Sequence, residues 1–376
     1  MRITFVLPDI TPEPNGGVKI VYDYANLLVE RGHQVNVVHP RTWDPLAGVA
    51  QAVKSAIWPH MIRIKHGGAT PWLSIKQGVR QLLVPDLSAR SLPDADVIVA
   101  TFFRTAPYVD ALPIQKGAKA HLVQGYETWS GSEEDVHNAL RLPMAKITCS
   151  TWLKDLLCDL QQRDRTTVVF NAVDFDTMFL EKPITERAPH VAMLYHDFQL
   201  KGSLEGLEVL QKVKQNIPKL DASLFGTAPP RPCIPDWMHY CQTPTRQALR
   251  HLYNEAGVFL QPSRSEGWGL TSTEAMACGC ALITTDNGGS RDFAIHEKTA
   301  LVVPVGDTQA MEAALLRLLK DDELRLAIAQ GGNEFVQQFT WSRAVESMEK
   351  ALTGIATGAA RPDRSVSEAA CDRSSS

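Results

Sequence analysis

The chain has 376 residues, 44% of them apolar and 21% charged, which is ordinary globular composition, long for one core and comfortable for two. A formal net charge of -4 removes the electrostatic case for a nucleic-acid partner. Seven cysteines scattered without a C-x-x-C pair argue against a disulfide framework and a structural zinc site. The first apolar run, Ile3 to Leu7, is too short for a signal peptide. No stretch reaches the ~20 apolar residues of a spanning helix. The expectation is a cytoplasmic protein, or one peripheral at the inner face of the membrane.

Residues 2–7 predict a buried strand, 8–17 a Pro- and Gly-rich loop. A helix follows with Val18, Val21, Tyr22, Ala25, Leu28 and Val29 on one face; Gly32 ends it, and 34–39 is the next strand. Strand, Gly-bearing loop, helix, strand is a βαβ unit and implies a parallel sheet. Residues 42–93 are read as helices and loops. Strands follow at 96–101, 121–124 and 145–150, then a helix at 152–160 and a strand at 167–170. The stretch 171–189 loses periodicity, and the domain junction is placed there. Alternation restarts with strands at 190–195, 220–225, 258–261, 281–284 and 300–303. Helices at 203–215, 246–255, 272–278 and 308–320 lie between and after them. Residues 323–352 read as helical with a break near 340–342, and 354–376 as a disordered tail. Two doubly wound α/β domains in tandem result.

The segment Gln261-Pro262-Ser263-Arg264-Ser265-Glu266-Gly267-Trp268-Gly269-Leu270-Thr271-Ser272-Thr273-Glu274-Ala275 leaves a predicted strand and enters a short helix. Its middle falls past the carboxyl end of a parallel strand, where open α/β sheets bind ligands. Gly267 and Gly269 permit close backbone approach, and Trp268 stands between them. Amides at Leu270 and Thr271, with the helix dipole behind them, suit an anion such as a diphosphate. Glu274 is placed to accept from a ribose diol, and Glu266 from sugar hydroxyls.

The Glu266/Glu274 pair inside EGWGLTSTEAMACG resembles the family-four (group 1) retaining glycosyltransferases, and the resemblance runs over most of the chain. Asn15-Gly16-Gly17 is similar to that family's Gly-Gly turn, Arg31-Gly32-His33 to its second-strand entry, and Asn171-Ala172-Val173-Asp174 to its domain junction. Lys201-Gly202 resembles its phosphate-contacting lysine, and Trp341 the tryptophan before its last helix. The resemblance implies the GT-B fold: two Rossmann-like domains with a cleft between them. It divides the chain into an acceptor-binding domain over 1–172, a nucleotide-sugar-binding domain over 173–339, and a C-terminal helix over 340–353 packed on the first domain. It implies a nucleoside-diphosphate sugar donor, a glycan or lipid-linked acceptor, retention of configuration, and no metal or other cofactor. Catalytic roles fall to Glu266 and Lys201. Donor contacts fall to Gly16, Gly17, His196, Lys201, Glu266, Gly267, Trp268, Gly269, Leu270, Thr271 and Glu274. With no side chain obviously placed as a covalent nucleophile, the implied route is same-face attack, the leaving phosphate taking the acceptor proton.

The family's arginine before the lysine is replaced here by Tyr195-His196-Asp197; a protonated His196 either shares the phosphate contact or only caps a helix. The family's histidine after the strand ending near Thr101 is replaced by Phe102-Phe103-Arg104. Tyr126, Glu127 and Trp129, with Phe103, are either an acceptor surface or rim aromatics beside a helix-start charge. Asp94/Asp96 and Asp174/Asp176 read as solvated carboxylates rather than metal ligands. Two other functions stay open: a nucleotide-sugar epimerase of the same fold, and a non-catalytic sugar-nucleotide-binding subunit.

Overall fold

The structure is a computed structural model that describes residues 1–11, 13–43, 70, 72–160, 165–188 and 190–358. The chain divides into two compact units. Unit one comprises Met1–Cys149, Leu153–Val169 and the chain from Val345; unit two comprises Ser150–Trp152 and Phe170–Ala344.

Unit one holds seven strands: β1 (Arg2–Val6), β2 (Gln34–Pro40), β3 (Val79–Val84), β4 (Val97–Ala100), β5 (Ala118–Val123), β6 (Ala145–Thr148) and β7 (Thr166–Val168). They form one parallel sheet in the order β3-β2-β1-β4-β5-β6-β7. Unit two holds β8 (His190–Leu194), β9 (Asp221–Gly226), β10 (Met238–Gln242), β11 (Val258–Gln261), β12 (Ala281–Thr285) and β13 (Ala300–Val303). These are also parallel, in the order β10-β9-β8-β11-β12-β13. Each sheet begins in its middle and winds outward both ways. The winding reverses between β1 and β4 in the first sheet and between β8 and β11 in the second. Loops diverge there at the strands' carboxyl ends, which makes room for a ligand.

The central strands are apolar on both faces because helices cover both. β8, β11 and β12 pack with Leu207, Leu210, Val213, Leu315 and Leu318 in the core of unit two. The edge strands β3 and β10 are largely exposed along one face. The helix Trp341–Ala356 buries Val345, Met348 and Leu352 in unit one. Gly354 lies within that helix, so the tail starts later than the sequence suggested, because the amphipathic face outweighs one glycine. The proposed tail beyond 358 lies outside the described residues. The break predicted near 340–342 falls slightly earlier, at 337–340, between helices Asp322–Val336 and Trp341–Ala356.

Candidate functional site

In unit two the two loops at the β8/β11 reversal meet through charge. After β8 the chain passes His196 and a short 3-10 turn, Gln199–Lys201, into the helix Ser203–Asn216. Gly202 makes the transition at φ 63°, and a β-carbon there would lie 2.1 Å from the Pro262 carbonyl oxygen. Only glycine lets the lysine loop come this close to the loop after β11.

Lys201 Nζ donates to both oxygens of Glu266, at 2.8 and 2.9 Å. Glu266 Oε1 also accepts from Gln261 Nε2 at 3.0 Å and from Ser263 Oγ at 2.8 Å. The carboxylate is thus satisfied and held. Its backbone is fixed too: Glu266 N–H donates to Asn287 O at 3.0 Å, and Gly289 N–H donates to Glu266 O at 3.1 Å. A β-carbon on Gly289 would stand 2.6 Å from Trp268 N, so the Gly288-Gly289 turn serves to press this loop against the Glu266 segment.

The helix Leu270–Ala277 starts at Gly269, and no side chain caps it. The Leu270 and Thr271 amides come ahead of any intrahelical acceptor and carry the positive end of the dipole. Glu274 is nearly buried and pairs with Arg246, Oε1 to Nη2 at 2.9 Å. The attraction of Glu274 keeps the Arg246 pKa above its ordinary value despite burial. Arg246 opens the helix Arg246–Glu255, where the dipole disfavours a cation. That mismatch was the available sequence signal for a residue otherwise missed, as Gln261 and Ser263 were.

Two assignments change. Trp268 is 3% exposed, its ring packed among Phe170, Phe293 and Phe339 at centroid distances of 5.0–5.6 Å, so only its backbone faces the loop. Aromatic burial outweighs ligand contact at that position. His196 is exposed, and its Nδ1 accepts from the Phe198 amide at 2.9 Å. Partial burial of the ring and the nearby Lys201 charge lower its pKa. With Nδ1 accepting from that amide, the ring's remaining donor is Nε2–H. A nearby cation is instead Arg231, whose Nε donates to both oxygens of Asp197 at 3.0 and 3.1 Å.

In unit one the helix Gly16–Glu30 begins at the end of the loop after β1. Asn15 caps it by accepting from the Val18 amide, and Gln124 Nε2 donates to Gly17 O at 3.2 Å. The Gly-Gly turn therefore abuts the loop after β5. Phe103 is 4% exposed, so its ring is core rather than ligand surface; its amide donates to Glu127 Oε2 at 2.8 Å. Tyr126 OH is engaged by Glu133 at 2.7 Å and His137 at 2.8 Å. Burial, then the bond to Glu133, pushes that phenol up to about 12. Trp129 is 54% exposed, beside Phe102 at 6.1 Å. Asp94 and Asp96 precede β4, at the amino ends of the strands, in ion pairs with Lys116 and Arg2. Among the described residues no group of three His, Cys, Asp or Glu converges as metal ligands. Among them, too, no helix is long and apolar enough to cross a membrane.

Residues 236–335 match the family described as Glycosyl transferases group 1. A D-inositol 3-phosphate glycosyltransferase from Saccharomonospora viridis is 33% identical over 102 residues, 27% of this chain and 24% of that protein. The match therefore spans about a quarter of the curated relative's length. Over nearly the whole chain the fold is that of a sucrose-phosphate synthase from Thermosynechococcus elongatus (TM-score 0.71, 18% identity, 95% of this chain and 99% of that one). Anabaena HepE, solved in complex with UDP and glucose, is equally similar (TM-score 0.71, 15% identity, 94% and 100%). The two-sheet architecture is the GT-B fold.

Proposed function

We propose, for a chain whose residues 236–335 match the Glycosyl transferases group 1 family, that it moves a hexosyl or deoxyhexosyl group from a nucleoside-diphosphate sugar to a hydroxyl of a glycan or lipid-linked acceptor. Surface polysaccharide or glycoconjugate synthesis is the setting that suits such a product. The observation that carries the reading is the meeting of Lys201 and Glu266 at the β8/β11 reversal, beside the uncapped helix Leu270–Ala277.

The donor leaves as a nucleoside diphosphate, so charge grows on the phosphates toward the transition state. Amides of Leu270 and Thr271 and the Lys201 ammonium are the groups of unit two assigned to that charge. Lys201 exchanges Glu266 for phosphate when the donor arrives, and the released Glu266 accepts from sugar hydroxyls. Glu274, steadied by Arg246, takes the ribose diol. UDP in the HepE structure makes uridine the first base to try.

The test is incubation of the full chain with UDP-, GDP- and ADP-sugars and a panel of alkyl glycosides. Proton NMR reads the anomeric configuration of donor and product. Glycoside formation with the donor's configuration kept is expected. Inversion removes the retaining assignment, sugar interconversion without acceptor favours an epimerase, and binding without turnover favours a non-catalytic subunit.

A further inference from the structure

Gln261, the last residue of β11, is 2% exposed and carries an amide that must be satisfied inside unit two. Its Nε2 donates to Glu266 Oε1 at 3.0 Å and to Ser263 Oγ at 2.8 Å. Its Oε1 accepts from Thr271 Oγ1 at 3.2 Å. A carboxylate only accepts, so the NH2 end of the amide faces Glu266 and the carbonyl end is left for the Thr271 hydroxyl. Ser263 is buried as well; it takes one hydrogen from Gln261 and gives its own to Glu266 Oε1 at 2.8 Å. Each polar hydrogen of the Gln261, Ser263 and Thr271 side chains thus has an acceptor.

The backbone around this network is anchored from three sides. Thr285 Oγ1, on β12, donates to Ser263 O. Arg264 N–H donates to Leu200 O at 2.7 Å, and Thr271 sits in the first turn of the helix Leu270–Ala277. The outcome for Glu266 is asymmetric. Oε1 accepts from Gln261, Ser263 and Lys201, whereas Oε2, among the described residues, accepts from Lys201 alone. A leucine at 261 would fill similar space with no polar group to satisfy. The amide directs one hydrogen to a single carboxylate oxygen and, through Ser263, brings a second donor to the same atom.

We infer that Gln261 is a positioning residue that gives the two oxygens of Glu266 different tasks: Oε1 stays with Gln261 and Ser263, and Oε2 alone turns to a hydroxyl of the donor sugar. This rests on the glycosyltransferase reading above, in which Lys201 leaves Glu266 for the diphosphate. That departure takes one donor from each oxygen. Oε1 keeps two and Oε2 keeps none, so Oε2 is the atom left to accept from the sugar. Without Gln261 the carboxylate would be free to rotate about its last bond and present either oxygen, or to follow the lysine. Orienting it before the sugar arrives removes an ordering cost from binding. Gln261 acts through Glu266 and is assigned no contact with substrate.

The experiment is calorimetry on the full chain with UDP, GDP and ADP, then with a panel of sugars of whichever nucleotide binds. Gln261→Leu should leave free-nucleotide affinity unchanged and weaken the nucleotide sugar by about three- to tenfold. Ser263→Ala, which keeps the direct bond from Gln261, should lose less. In a Glu266→Gln background Gln261→Leu should cost nothing further, whereas a merely structural glutamine would weaken both backgrounds alike. Gln261→Glu separates orientation from packing, because its carboxyl has a hydrogen to donate only when protonated. Relative to the wild type, its nucleotide-sugar affinity should be lowest near neutral pH and recover as the medium is acidified toward the carboxylate range. Equal losses in the two backgrounds, a matching loss for the free nucleotide, or a Gln261→Glu deficit that ignores pH overturns the inference while the glycosyltransferase reading stands. If melting shows that Gln261→Leu does not fold, unchanged nucleotide-sugar affinity in Ser263→Ala and Gln261→Glu overturns it just as well. A folded wild type that binds none of the three nucleotides removes the functional reading, and the role of Gln261 with it.

Discussion

The ammonium of Lys201 lies 2.8 and 2.9 Å from the two carboxylate oxygens of Glu266, so the two side chains neutralise each other. The two residues are 65 apart in sequence and meet because β8 and β11 are neighbours at the sheet's reversal. On the proposed function a diphosphate competes with Glu266 for this lysine. Glu266→Gln should therefore tighten free UDP by about two- to tenfold, of the order of one exposed-to-half-buried ion pair, while turnover falls. Lys201→Ala should lower kcat more than it raises the donor KM, because the charge it meets grows toward the transition state. Calorimetry with UDP, paired with steady-state rates, checks both. Weaker UDP binding in Glu266→Gln would mean that Glu266 helps the phosphate site rather than holding its cation back.

Glu274 and Arg246 form the second pair, at 2.9 Å. Glu274→Ala should cost roughly tenfold to a hundredfold in UDP affinity, the value of a charge-assisted hydrogen bond of ~1.5–3 kcal/mol. Arg246→Ala should cost less than Glu274→Ala, since the arginine steadies the carboxylate without being assigned to the nucleotide. Combining the two should cost no more than Glu274→Ala alone. A double-mutant cycle by calorimetry decides, and strictly additive losses would separate the two residues.

Periodicity was sufficient where strands are buried on both faces: β1, β2, β4, β8, β11 and β12 all read as apolar runs and all lie inside a sheet. It failed at one edge of each sheet, although the opposite edges, β7 and β13, were read as strands. β3 and β10, with sequences VRQLLV and MHYCQ, are covered incompletely and so carry no continuous apolar run. In the site, residues adjacent in sequence were legible as a string, and the loop–helix geometry around Glu266 and Leu270 follows from it. Partners brought by topology were not. Nothing local ties Lys201 to Glu266, Arg246 to Glu274 or Phe103 to Glu127, because each pair depends on which strands lie side by side. Trp268 and Phe103 were assigned to ligand surfaces because aromatic type alone does not tell a rim ring from a core ring.

Gly202 is a backbone requirement of the lysine loop, with φ 63° and a virtual β-carbon 2.1 Å from Pro262 O. Gly202→Ala should displace one loop from the other and separate Lys201 from Glu266. The expected cost is about 1–3 kcal/mol of stability, the range for a strained backbone position, with donor binding lost well before unfolding. Thermal melting with and without UDP checks this. A variant stabilised by UDP as much as the wild type would show that the loop tolerates a methyl group.

Glu349 ties the last helix to the start of unit one, bonding His33 Nε2 at 2.7 Å and Arg31 Nε at 2.6 Å. The His33 hydrogen bond, opposed by burial and reinforced by Arg31, holds the Glu349 carboxyl below its ordinary pKa. A carboxylate depressed on folding stabilises the protein above its unfolded pKa, and that contribution disappears as pH falls through the folded value. Glu349→Gln should thus lower stability near neutral pH by about 0.2–1 kcal/mol, as expected for a solvent-screened pair. The difference should close as the medium is acidified below the usual carboxylate range. Denaturant melts at a series of pH values check the sign; a gap that widens in acid would contradict the pairing.

The final helix, Trp341–Ala356, is the last prediction's subject, because its sequence is remote from unit one and its buried face belongs there. Val345 is 4% exposed, Met348 1% and Leu352 0%, an i, i+3, i+7 stripe. Removing one buried aliphatic side chain of this size costs roughly 2–5 kcal/mol, and small domains are stable by only about 5–15 kcal/mol. A chain cut after residue 339 loses all three at once, and with them the Glu349 contacts to Arg31 and His33. It should be insoluble, or should show unit one unfolded while unit two still binds UDP. A chain cut after residue 358 keeps the whole helix and should match the full chain in melting temperature and transfer rate. Limited proteolysis and calorimetry on both truncated chains separate the outcomes. Full activity in the 1–339 chain would show that unit one is complete without the helix, whereas loss of activity in the 1–358 chain would give the last eighteen residues a role that their composition does not suggest.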